Sequence, residues 1–86
     1  MGNEVIVYGT TWCGDTIRSR KYLEGHGVEY TWLDIDKDAE AAKLVEQMNH
    51  GNRSVPTIVF PDGSFLVEPN NLQLNQKLVE NHILES

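Results

Sequence analysis

At 86 residues, 40% apolar and 23% charged, the chain is sized for one soluble domain with a single modest core. A net charge of −6 argues against nucleic-acid and anionic-membrane binding, which want clustered Lys and Arg. No apolar run approaches the roughly 18 residues of a membrane span, and one cysteine excludes an intramolecular disulfide.

Met1-Gly2-Asn3-Glu4 lacks the basic region and apolar stretch of a secretory leader. Together with the lone cysteine, this points to a reducing cytoplasm. No repeat, linker or low-complexity tract interrupts residues 1–86, which read as one domain.

Val5 to Tyr8 is a continuous apolar run, as expected of a central strand buried on both faces. Asp15 to about Glu24 reads as a helix with a rather polar inward face of Thr16, Ser19, Tyr22 and Leu23. Gly25 and Gly27 end it. Val28 to Leu33 alternates, with Val28, Tyr30 and Trp32 on one face of a second strand. Asp38 to about Asn49 carries Ala41, Leu44, Val45 and Met48 at helical spacing, opened by acidic residues and closed by Gly51. Thr57–Phe60 and Phe65–Val67 form a hairpin around the turn Pro61-Asp62-Gly63-Ser64. A final helix carries Leu74, Leu78, Val79 and Ile83, with Asn70 or Asn71 as its cap. The order β-α-β-α-β-β-α predicts an α/β fold with a mixed four-stranded sheet, one parallel pair, and helices on both faces.

Cys13 therefore sits where a buried strand ends and a helix begins, within Thr10-Thr11-Trp12-Cys13-Gly14-Asp15-Thr16. A helix start offers open N–H groups and partial positive charge, and both favour the nucleophilic thiolate. Asp15 opposes this as a nearby anion, whereas Arg18 supports it. Thr16 completes the set of residues placed to tune the thiol. Trp12 is either core or a contact surface beside the sulfur. His26, His50 and His82 are scattered; none is spaced with Cys13 for a metal, and each suits a helix end or the surface. In Arg53-Ser54-Val55-Pro56-Thr57, a proline directly precedes a strand. On residue types alone, a proline that simply starts an edge strand is the plainer reading. Were Pro56 cis and facing Cys13, the Val55 backbone would be open to pair with a bound peptide or small thiol.

Trp12-Cys13-Gly14 at a helix start, with Ser54-Val55-Pro56-Thr57-Ile58 some forty residues on, resembles the glutaredoxins. Gly51 to Ile58, Asp62-Gly63-Ser64 and Glu68-Pro69 are similar to the mycoredoxins and related small bacterial redoxins. The resemblance implies a thioredoxin-like fold, a cis Pro56 and Cys13 as the nucleophile that attacks mixed disulfides. It further implies a thiol-binding surface of Trp12, Gly14, Arg53, Val55, Pro56 and Thr57. The implied activity is thiol–disulfide exchange in redox homeostasis, with proteins carrying mixed disulfides as partners and a low-molecular-weight thiol, glutathione or mycothiol, as co-substrate. No bound cofactor or metal is implied. The protein is expected to be a monomer, with a disulfide-linked dimer through Cys13 as its oxidised form.

Two departures shape that expectation. Dithiol relatives carry Cys-x-x-Cys, whereas the second position here is Thr16, leaving only a monothiol cycle. Val67-Glu68-Pro69-Asn70 stands where glutathione-using relatives have Gly-Gly-x-Asp, which argues against glutathione and leaves mycothiol or another bacterial thiol open. Rival readings are an iron–sulfur carrier, a redox-inactive binding module and a redox sensor. Cys-Gly-Asp-Thr lacks the Phe of the cluster-binding Cys-Gly-Phe-Ser motif and puts a carboxylate beside an anionic cluster, so the carrier is disfavoured.

Overall fold

The computed structural model describes residues 4–85, so residues 1–3 of the expected leaderless N-terminus lie outside the described residues. The elements are β1 (Val5–Gly9), α1 (Gly14–Gly25), β2 (Tyr30–Asp34), α2 (Ala39–Met48), β3 (Thr57–Val59), β4 (Phe65–Val67) and α3 (Asn71–Glu80). Strands lie in the order β2-β1-β3-β4. β1 runs parallel to β2 and antiparallel to β3, and β3 runs antiparallel to β4. This is the mixed sheet and element order expected from the pattern, a thioredoxin-like α/β fold.

β1 is inside the sheet, so its alternate side chains serve two cores. Val5 and Val7 face a layer built with Leu23 of α1, Ile58 of β3, Phe60, and Leu74 and Leu78 of α3. Tyr8 faces the other side, with Ile35 and the α2 residues Ala41, Ala42 and Val45. α1 and α3 thus share one face of the sheet and α2 covers the other. No helix among the described residues is long and apolar enough to cross a membrane.

The second strand starts later than its alternation suggests. Val28 is buried but lies before β2, its N–H spent on Leu23 O at 2.9 Å. Tyr30 and Trp32 pack against the same core as Val28, so the face assignment holds. Leu44, expected inward, is 41% exposed. The buried stripe of α2 is Ala41, Ala42 and Val45. At about 100° per residue, Leu44 lies roughly 110° from the centre of that stripe. Ile83 also lies outside its expected helix, because α3 ends at Glu80. Ile83 still packs against the core, with Leu84 beside it.

That return reflects one device used at all three helix ends. His82 takes φ 59° after the C-cap Asn81, and Ile83 N–H reaches back to Leu78 O at 2.9 Å. His50 takes φ 57° after Asn49, and Gly51 N–H reaches Glu46 O at 2.7 Å. Gly27 takes φ 70° after His26, and Val28 closes on Leu23. Each is a left-handed residue after the cap that satisfies an orphan carbonyl. All three histidines thus sit at helix C-termini, and at two of the three ends histidine itself holds the left-handed position.

Candidate thiol site

Cys13 is the N-cap residue of α1, with extended backbone and no side-chain capping bond. Its own carbonyl accepts the first helical bond from Ile17 N–H at 3.0 Å. The other two helices are closed differently. Asp38 accepts from Glu40 and Ala41 N–H to start α2, and Asn70 forms a reciprocal capping box with Gln73 to start α3. Among the described residues, α1 is thus the helix that starts without a capping side chain, and its cap residue is the partly buried cysteine.

The close seat of α1 on β1 depends on Gly9. A Cβ there would stand 2.6 Å from Thr16 Cγ2 and 3.2 Å from the Trp32 ring. Thr16 is wholly buried in this contact, and Ser19 is buried beyond it on the same helix. The hydroxyls of Thr10, Thr16 and Ser19 have no hydrogen-bond partner among the described residues. Gly14 differs from Gly9, since a Cβ on it would meet nothing within 4 Å.

Across from Cys13, the Val55–Pro56 peptide is cis, as the resemblance implied. The Cys13 Sγ lies 3.8 Å from Val55 O, a long thiol-to-carbonyl contact. Pro56 precedes an interior strand, because β3 lies between β1 and β4. This corrects the plainer residue-type reading of an edge-strand proline. Thr57 is buried, donating to Ser54 O at 2.7 Å and accepting from Asn49 Nδ2 at 3.2 Å, which pins the turn leading into Pro56.

Trp12 is 71% exposed, and its Nε1 donates to Asp36 Oδ2 at 2.8 Å. The indole is thus held on the surface beside the sulfur rather than in the core. Arg18 donates to Pro69 O and Asn71 Oδ1, both at 2.7 Å, with Asp15 3.6 Å away. Arg53 is paired with Glu46 at 2.5 Å. The bond to Glu46, then its charge, and more distantly the charge of Asp36 push the Arg53 guanidinium above its ordinary value. Arg20 stacks over Trp32 at 3.9 Å and donates to Tyr30 OH. Arg18 and Arg20, close to Cys13 in sequence, are thus held by separate partners.

Cys13, Trp12, Gly14, Val55 and Pro56 therefore gather at one end of the sheet, with Asp15 on the first turn of α1. Thr16 and Thr57 face inward as packing and anchoring residues. The residue types alone did not mark Asp36, Glu46 or Gly9. Only Gly9 carried a local signal, a glycine between strand and cysteine. Among the described residues, no cluster of three or more His, Cys, Asp or Glu side chains is placed to hold a metal ion.

The glutaredoxin family model matches residues 5–66. A Mycobacterium tuberculosis protein described as a glutaredoxin is 39% identical over 76 residues, covering 88% of this chain and 90% of its own. Mycoredoxin 1 of Corynebacterium glutamicum is 39% identical over 67 residues, covering 78% of this chain and 82% of its own. The crystal structure of a glutaredoxin from Archaeoglobus fulgidus superposes with a TM-score of 0.73 at 29% identity, covering 88% of this chain and 86% of that one. A thiol at an open helix start, the facing cis-proline and these relatives agree: the chain belongs to the glutaredoxin family, as a redox protein with a single cysteine.

Proposed function

We propose that this protein reduces mixed disulfides between proteins and a low-molecular-weight thiol by a monothiol cycle, in the cytoplasm. The observation that carries the reading is Cys13 Sγ at the uncapped start of α1, 3.8 Å from the carbonyl preceding the cis-proline. In the first step, the Cys13 thiolate attacks the small-thiol sulfur of a mixed disulfide. A Cys13–small-thiol bond forms, the original S–S bond breaks, and the target leaves as a thiolate that takes up a proton. In the second step, another small thiolate attacks the adduct. The two small thiols leave as their disulfide and Cys13 returns as thiolate, so both electrons come from the small thiol. One cysteine suffices for this sequence, and Thr16 leaves no internal thiol to compete with it.

Similarity to Mycoredoxin 1 supports mycothiol over glutathione as the small thiol, as does Val67-Glu68 in place of a glycine pair. Mass spectrometry after parallel incubation with glutathione disulfide and mycothiol disulfide tests both points. The expected result is a single adduct on Cys13, formed faster with mycothiol and abolished in Cys13→Ser. A protein that forms no adduct with either disulfide contradicts the reading.

A further inference from the structure

Glu68 lies in the connection between β4 and α3 with φ 50°, a left-handed backbone that L-residues other than Asn and Asp rarely adopt. Its N–H donates to Pro56 O at 2.8 Å. The residue is thereby tied to the cis-proline, whose preceding carbonyl is the one that faces Cys13 Sγ. Its side chain is exposed and has no ion pair within 4 Å among the described residues.

Arg18 and Arg53 do not offset it. Arg18 is committed to Pro69 O, Asn71 and Asp15, and Arg53 to Glu46 with Asp36 beyond. These two guanidinium groups are shared among Asp15, Glu46 and Asp36, and neither pairs with Glu68 among the described residues. An incoming thiol with its own carboxylates meets no uncommitted arginine here and meets Glu68 next to the proline.

We propose that Glu68 is a specificity-determining residue that makes the thiol groove discriminate by charge, favouring cationic and uncharged thiols over anionic ones. This rests on the reading of Cys13 as the nucleophile of thiol–disulfide exchange. The exchange step is the one written above, and Glu68 acts on encounter and positioning, not on the bonds that form or break.

The test compares three small disulfides, cystamine (cationic), hydroxyethyl disulfide (neutral) and dithiodipropionate (anionic). Rates of Cys13 adduct formation are read by mass spectrometry and divided by the rate of each disulfide with a blocked cysteine peptide. That division removes differences in intrinsic reactivity. The expected order is cationic, neutral, anionic. In Glu68→Gln the anionic rate rises about threefold and the cationic rate falls about threefold, the effect of removing one charge at close range in high dielectric. In about 0.5 M salt the spread in the unmodified protein narrows. Glu68→Asn, whose new side chain tolerates the left-handed backbone, repeats the result independently of any folding defect in the first variant. Adducts that form without a charge order, or an order unchanged in both variants, overturn the proposal alone. Absence of any adduct overturns the nucleophile reading and the proposal with it.

Discussion

Gly9 and Gly14 bracket Cys13 and serve it differently. Gly9 lets α1 approach β1 so closely that Thr16 occupies the space a side chain would need. Gly9→Ala forces a methyl to 2.6 Å from a wholly buried threonine and against the Trp32 ring. The expected cost is about 1–3 kcal/mol, the usual range for overpacking, seen as a lower urea midpoint with unchanged slope. A midpoint equal to that of the unmodified protein would show that the helix can lift off the strand freely. Gly14, in contrast, faces open space at the helix start next to Cys13. A strand, a glycine and a cysteine before a helix were visible in the residue order. The reason for Gly9 was not, because its partner Thr16 becomes a neighbour only once the helix folds back.

The helices are where local chemistry and tertiary contact divide the work. Each ends in the same left-handed turn, and two of those turns use histidine where glycine is cheaper. Relieving the Cβ strain at His82 outweighs the extra chain entropy of glycine. His82→Gly should therefore stabilise the protein by about 0.5–1 kcal/mol in urea unfolding. A loss of stability would mean that the histidine side chain makes a contribution beyond its backbone. At the other end, α1 forgoes a capping side chain and carries cysteine instead, whereas α2 and α3 are capped by Asp38 and Asn70. A helix start without its own acceptor is less stable and more available. Arg18 helps to hold that start in place by bridging from α1 to Pro69 and Asn71 at the head of α3, and Asn75 adds a bond to Tyr22.

Across the whole molecule, two tyrosines couple the sheet to pH. Burial first, and then the charge of Asp38, push the Tyr8 phenol above its ordinary value. Burial and the bond to Glu24 do the same for Tyr30, with Arg20 opposing. Both groups hold their protons more tightly folded than unfolded. Their contribution is therefore fully present below the unfolded value of about 10 and is lost as pH rises through the higher folded values. Urea midpoints should fall above about pH 10, and Tyr8→Phe should flatten part of that fall. A midpoint independent of pH across that range would remove the tyrosines from the account.

The residue order was enough to read the element order, the mixed sheet and the cysteine at a strand–helix junction. These follow from side-chain period and from turn and cap residues, which act within a few positions along the chain. The resemblance to glutaredoxins added the cis-proline, which residue types alone had argued against. Tertiary structure decided the rest of the site. The Cys13–Val55 contact spans 42 residues, Arg18 to Pro69 spans 51 and Trp12 to Asp36 spans 24. Partners so far apart meet only because β1 pairs with both β2 and β3 and α1 packs with α3 on the same face. Charge shows the division most clearly. Arg18 and Arg53 looked like a basic surround for the thiol in sequence, and long-range pairing commits both to other partners. Glu68, tied by its backbone N–H to Pro56 O, keeps no ion-pair partner among the described residues.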